Sequence, residues 1–273
     1  MPPEIAGSPG APENHLKKML REGKPVIGTT ITVASVETAA QGATLEFDFL
    51  WIEMEHSPIT LETLRNIVLA TRGLKAVPIA RVPVNELWTA KRVLDAGALG
   101  VIFPFCSTPE LARQAVEACK YPPRGRRGSG AGLAAFRWPA SEGYHTFADQ
   151  NVMVVVIVEE ERAIEQVDAI AATPGVDVIF VGTSDLSFSM GLRGQSDHSR
   201  VQEALKKVVA AGMANNKAVG LPVKDAEQIK KYEDQVFLWF QTPSELGLMA
   251  RGAGQILEPL GRAAEPLQKG LLY

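Results

Sequence analysis

Several ionisable residues stand where long apolar runs end, and in an α/β protein that is where chemistry is expected. The run Phe47–Ile52 (FDFLWI) is followed at once by Glu53, Met54, Glu55 and His56. Such a cluster can be a solvated loop leading to the Ser57-Pro58 turn, or a set of acids beside a proton-transferring imidazole. Arg81 lies inside the run Val77–Val82 (VPIARV). A guanidinium there needs an anionic partner, because an unpaired buried charge costs several kcal/mol. That partner is either a carboxylate of another strand or a substrate carboxylate or enolate oxygen, both suited to the planar fork of arginine. Glu159 is the first charge after Val152–Val158 (VMVVVIV), and Asp185 sits in the turn after Val176–Gly182 (VDVIFVG). Glu160 and Glu161 are explained by a helix N-terminus, where acids are favoured by the dipole. Asp185 alone is an ordinary N-cap. Two carboxylates at adjacent strand ends, however, make a hard-oxygen site of the kind that suits Mg²⁺ or Mn²⁺ with waters and substrate oxygens. Asp95 stands four residues beyond Lys91 and locally reads as an exposed helical ion pair.

The elements that must position these groups follow from the hydrophobic pattern. Val26–Thr32, Phe47–Ile52, Val77–Val82, Gly100–Phe105, Val152–Val158, Val176–Gly182, Lys217–Val223 and Val236–Gln241 read as strands. Several are continuously apolar, as parallel strands covered on both faces must be. Amphipathic segments lie between them: Thr60–Thr71, Glu86–Ala96, Thr108–Lys120, Ala163–Ala172 and Val201–Met213. Alternation sustained to about eight units predicts a (β/α)8 TIM barrel, with an open doubly wound sheet as the alternative. No GxGxxG follows the first strand and no GxxxxGK[ST] occurs, which weakens nucleotide-binding versions of that alternative. The stretch 121–150 is longer than a usual connection and reads either as a functional loop or as a packed excursion.

With 273 residues, 46% of them hydrophobic, the chain can bury a large core, and a single barrel domain over 1–273 accommodates it. A net charge of −3 without a basic stripe argues against nucleic acid. No apolar stretch is long enough to span a membrane. Residues 1–14, rich in Pro and Gly, are expected to form a flexible leader. Cys106 and Cys119 lack metal-type spacing and read as reduced thiols, so the expected location is the cytoplasm. His15, His145 and His198 read as surface residues.

Taken in order, FDFLWIEMEHSP, ARVP, VLDAGALGVIFP, YPPRGRRGSG, VEEERAIEQVDAI and FVGTSDLSFSMG resemble the HpcH/HpaI family of metal-dependent pyruvate aldolases. The similarity runs from about Gly28 to about Gly261. The resemblance implies a (β/α)8 barrel with Glu159 and Asp185 as ligands of a divalent metal, Mg²⁺ or Mn²⁺, with Co²⁺ as a third candidate. It implies that Arg81 steadies the enolate, that His56 transfers a proton with Asp95 as its dyad partner, and that Glu53 belongs to the catalytic set. Gly182 and Ser184 are the expected substrate-contacting positions beside Arg81. It also implies a homo-oligomer, a hexamer or trimer of dimers, in which the segment after Ser244 exchanges between subunits. Three departures from the family pattern stand out: Glu53 where many relatives have Asp, Ile157 where many have Gln, and Gln241–Glu245 in place of a Gly-Ser-Asp turn.

The activity so implied is cleavage of a 4-hydroxy-2-keto acid to pyruvate and an aldehyde through a metal-stabilised enolate. Partners would be a small 2-keto acid and an aldehyde, with no nucleic acid and no membrane. The alternatives are an oxaloacetate decarboxylase or macrophomate-synthase-like enolate enzyme, a citrate-lyase-β-like thioester lyase, and a non-catalytic keto-acid-binding protein.

Overall fold

Each apolar run becomes a strand, and the strands pair in chain order until the last meets the first. A computed structural model describes residues 13–262. The strands are β1 (Val26–Ile31), β2 (Phe49–Glu53), β3 (Val77–Arg81), β4 (Gly100–Phe103), β5 (Met153–Val158), β6 (Val178–Val181), β7 (Ala218–Pro222) and β8 (Trp239–Ser244). All neighbouring pairs are parallel and β1 pairs with both β2 and β8, so the sheet closes into a (β/α)8 barrel. The open-sheet alternative is thereby excluded. Among the described residues no helix is long and apolar enough to cross a membrane.

Thirteen helices are described: α1 (His15–Arg21), α2 (Val36–Ala43), α3 (Leu61–Ala70), α4 (Leu87–Asp95), α5 (Pro109–Cys119), α6 (Gly132–Arg137), α7 (Tyr144–Asn151), α8 (Glu161–Glu165), α9 (Val167–Ala171), α10 (Thr183–Ser189), α11 (Ser199–Ala214), α12 (Ala226–Glu233) and α13 (Glu245–Leu257). Their starts are chemically marked. Ser35, Thr60, Thr108, Asp225 and Ser244 each accept an amide of the first turn through the side chain.

Side chains alternate along β2, so Phe49, Trp51 and Glu53 share one face and point into the barrel. Phe49 stacks on Trp239 of β8 at 4.2 Å, and Trp51 lies tilted against Phe180 of β6 at 4.9 Å. Gly28 and Gly220 make room for these rings. A Cβ at Gly28 would stand 2.2 Å from the Phe49 ring, and one at Gly220 would stand 2.8 Å from the Trp239 ring and 2.6 Å from its carbonyl oxygen. The lower barrel is thus a filled core, and chemistry is confined to the mouth above Glu53.

The bottom is closed by α1. Leu16 is fully buried, and Asn14 caps the helix while donating through its backbone N–H to Asn151 Oδ1 at 2.7 Å and through Nδ2 to Asn151 O at 2.9 Å. Asn14, placed by the sequence in a flexible leader, is therefore part of the folded domain. The rest of that leader, apart from residue 13, lies outside the described residues. The stretch 121–150 forms α6 and α7. Arg137 donates to the carbonyls of Val68 and Thr71 at the end of α3, and Trp138 Nε1 donates to Gly97 O at 2.9 Å. It is a packed excursion against the lower ends of the helices and not a lid over this chain's own mouth.

The departure at 241–245 has a structural counterpart. β8 continues through Gln241–Ser244, Gln241 Nε2 donates to Thr30 Oγ1 at 3.0 Å, and Ser244 caps α13. Glu245 accepts from the amides of Thr32, at 2.7 Å, and Val33, fastening the start of α13 to the end of β1.

Candidate active site

The mouth collects side chains from β2, β3, β5 and the start of α10. Arg81, last residue of β3, is the hub. Its Nη1 lies 3.4 Å from Glu53 Oε2 and its Nη2 lies 3.7 Å from Glu159 Oε2, while Nη2 also pairs with Glu55. The sequence left Arg81 with two possible partners, another strand's carboxylate or a substrate oxygen. The structure supplies the first and leaves scope for the second, because the buried Nε of Arg81 has no hydrogen-bond partner. A buried donor left unmade is costly, so a ligand oxygen would be welcomed there.

Glu159 follows β5 and is almost wholly buried. Its Oε1 accepts from the amide of Phe105 at 2.7 Å. Phe105 holds φ at +52° to aim that amide, a left-handed conformation uncommon for a bulky side chain and typical of sites where geometry overrides local preference. Gly182 is required beside it, since a Cβ there would stand 2.9 Å from both Cβ and Oε2 of Glu159. Gly182 also serves as N-cap of α10, which places Ser184 and Asp185 in the exposed first turn of that helix, with Asp185 beside Glu159. Asp185 is therefore an N-terminal helix acid and not the cap itself.

This crowding perturbs the acids. Burial pushes Glu159 up to about 7, against the opposing pull of the Phe105 amide and Arg81, and Asp185 adds to the rise. Burial likewise pushes Glu55 up to about 7, opposed by Arg81 and reinforced by Glu159, Glu53 and Asp185. Acids held this close favour a shared proton or a cation. Among the described residues no group of three or more His, Cys, Asp or Glu has metal-holding geometry. A cation held by Glu159 and Asp185 would keep most of its shell as water and substrate oxygen, the arrangement Mg²⁺ prefers. The raised Glu159 and the Gly182 cradle fit such an ion.

His56 stands in the β2–α3 loop, partly exposed, with Nε2 3.6 Å from Glu55 Oε2. Its amide, with that of Glu55, donates to Glu53 Oε1 at 3.1 and 2.8 Å. Asp95 is elsewhere. It ends α4, which runs back from the mouth, and it pairs with Arg127 at 2.9 Å, where the sequence read an exposed ion pair with Lys91. Nine residues of helix put it about 13 Å down the barrel from the level of the mouth. Arg81, Glu53, His56, Glu159, Asp185, Gly182 and Ser184 thus surround one mouth, and Asp95 of the same chain does not. Glu55, the Phe105 amide and Trp51 belong to the site without having been singled out. Period-two alternation back from Glu53 points to Trp51, whereas a backbone donor such as that of Phe105 leaves no mark in the sequence.

Over residues 30–251 the chain matches the family described as HpcH/HpaI aldolase/citrate lyase. The chain belongs to that family. Among relatives of this HpcH/HpaI protein is a hydroxypyruvate/pyruvate aldolase of Roseobacter denitrificans, 37% identical over 221 residues, covering 81% of this chain and 86% of the relative. A 5-keto-4-deoxy-D-glucarate aldolase of Salmonella arizonae is 32% identical, covering 90% of this chain and 96% of its own length. The crystal structure of an HpcH/HpaI aldolase/citrate lyase family protein from Burkholderia cenocepacia superposes with a TM-score of 0.85 at 34% identity, covering 91% of this chain and all of that one. This HpcH/HpaI-family chain is accordingly an enzyme, a lyase of the aldolase type.

Proposed function

We propose that the chain is a divalent-metal-dependent aldolase that cleaves a 4-hydroxy-2-keto acid to pyruvate and an aldehyde. The observation that carries this reading is the Arg81 guanidinium: ringed by Glu53, Glu55 and Glu159 at the mouth, it still offers a buried, unpartnered Nε–H. A donor of that kind matches an oxygen that gains negative charge as the reaction proceeds. The names of the relatives support the substrate class.

Glu159 and Asp185 hold the metal, Mg²⁺ or Mn²⁺, with Co²⁺ as a third candidate; when bound it supplies Lewis-acid polarisation of the 2-keto group. Arg81 orients the keto acid and stabilises the enolate oxygen through Nε–H. Gly182 and Ser184, beside Glu159 and Asp185, shape the floor on which the keto acid lies. His56 takes the proton of the 4-hydroxyl, the C3–C4 bond breaks, and the aldehyde departs. The electron pair of that bond becomes the enolate, and His56 returns the proton to C3 to give pyruvate. Glu55, 3.6 Å away, is the in-chain carboxylate beside the imidazole.

Asp95 enters this scheme only from another copy, because within one chain it lies far down the barrel from His56. A homo-oligomer, a hexamer or trimer of dimers, fits α13. That helix buries none of its residues and leaves Met249 and Ile256 about two-thirds exposed. A cavity of about 470 Å³ beside it, lined by Ile31, Leu45, Phe47 and Leu248 among others, could receive the same helix from a neighbour. A cytoplasmic location fits two buried, unpaired thiols.

The test is deuterium exchange at the pyruvate methyl group in D₂O, followed by proton NMR with and without Mg²⁺ or Mn²⁺. Metal-dependent exchange that disappears in Arg81→Ala is the expected result. Exchange that survives chelation or the Arg81 change would overturn the mechanism.

A further inference from the structure

Glu53 is the residue at which this chain lengthens an acid of the mouth, and its surroundings assign it a role. It is buried, and donors converge on it from three directions. Trp51 Nε1 donates to Oε2 at 3.0 Å, the amides of Glu55 and His56 donate to Oε1 at 2.8 and 3.1 Å, and Arg81 Nη1 lies 3.4 Å from Oε2. An ionised carboxylate offers about four acceptor sites. All are engaged here, so Glu53 has no lone pair with which to take a proton from substrate.

The indole that supplies one of those donors is held as firmly. Trp51 is fully buried, two residues before Glu53 on the same strand face, with its ring against Phe180 across the barrel. A buried indole N–H requires an acceptor, and Glu53 is the one it has. The chain of contacts therefore runs from the aromatic core, through Trp51 and Glu53, to the backbone of the loop that carries His56 and to the guanidinium of Arg81.

We propose that Trp51 and Glu53 form a positioning pair: the indole N–H fixes the carboxylate, and the carboxylate fixes the His56 loop and Arg81 for enolate formation. This deepens the aldolase reading and rests on it for its kinetic arm. Glu53 is then a positioning residue and not a proton carrier. Trp51, which touches no reacting atom, tunes the reaction through it.

The experiment compares Trp51→Phe, Glu53→Gln and the double variant in the pyruvate methyl exchange assay, with backbone amide and His56 ring NMR on the same samples. Trp51→Phe keeps an aromatic ring against Phe180 and removes only the N–H. Loss of one charge-assisted hydrogen bond predicts a fall of about tenfold in kcat, with KM for pyruvate changed less than about twofold. In the Glu53→Gln background the same change should cost nothing further, because residues acting in series are non-additive. The Glu55 and His56 amide resonances should shift in Trp51→Phe, and Glu53→Gln should move the Trp51 indole proton. Effects that multiply in the double variant, or an unaltered kcat in Trp51→Phe, overturn the proposal. Should the wild-type enzyme exchange no methyl protons, the aldolase reading falls, but the amide and His56 shifts still decide the pair: unmoved resonances in Trp51→Phe refute it and displaced ones sustain it.

Discussion

At the scale of single residues the mouth is a balance between acids and one arginine. Glu159 and Glu55, both pushed up to about 7 chiefly by burial, bind protons in the fold that the unfolded chain releases above about 4.5. In the window between those values the folded state carries more protons, so stability of the cation-free protein should fall as pH rises and level off above about 7. A divalent cation on Glu159 and Asp185 competes with the same proton. Its affinity should rise about tenfold per pH unit up to about 7 and flatten beyond. Mn²⁺ titration calorimetry and thermal melts from pH about 5 to about 8 measure both effects. An affinity independent of pH would remove Glu159 from the ligand set. The sequence made Glu159 legible because a charge ending a continuous apolar run has few innocent explanations. It could not show that Phe105 supplies a backbone donor, nor that Asp95 pairs with Arg127, since both depend on contacts between segments distant in sequence.

At the scale of elements, Gly182 shows how strand ends set the site. β5 and β6 approach so closely that Gly182→Ala must displace Glu159, whose Cβ would be 2.9 Å away. Overpacking of this sort typically costs about 1–3 kcal/mol. The variant should lose several degrees of Tm and, more tellingly, should weaken Mn²⁺ binding while leaving the fold intact by circular dichroism. Undiminished metal affinity would mean that Glu159 moves freely, and the cradle would not matter. The strands were readable in advance because parallel strands carry their signal in their own composition. The helices of 121–150 were not. α6 and α7 are short, neither has a side-chain N-cap, and their apolar residues serve a junction with α3 and α4 instead of one continuous stripe. α8 and α9 occupy the expected single helix of Ala163–Ala172, interrupted at Gln166. The C-terminal limit of β8 was also misplaced, because Pro243 and Ser244 look like turn residues while the strand runs on to the cap of α13.

At the scale of the whole molecule, a single chain leaves two things incomplete: an apolar helix without a core and a histidine whose implied aspartate is at the far end. The oligomer proposed above would answer both with a second copy. A chain ended at Ser244 loses α13 and should elute as smaller species in light-scattering chromatography, with the cavity walls Ile31 and Phe47 exposed to dye binding. The sharper test is complementation. His56→Asn and Asp95→Asn are each expected to abolish exchange at the pyruvate methyl group. Asp95→Asn also deprives the fully buried Arg127 of its carboxylate, so folding of that variant must be checked by its melt. If the site is shared between subunits, co-assembly of the two variants in equal amounts makes each site draw its His56 and its Asp95 from different chains. Random assortment then restores both groups in about a quarter of sites. Activity near that fraction of wild type would establish that the mouth is completed by a neighbour. Mixed oligomers with no recovered activity would make the dyad internal or irrelevant, and Glu55, already beside the imidazole in the same chain, would become its partner.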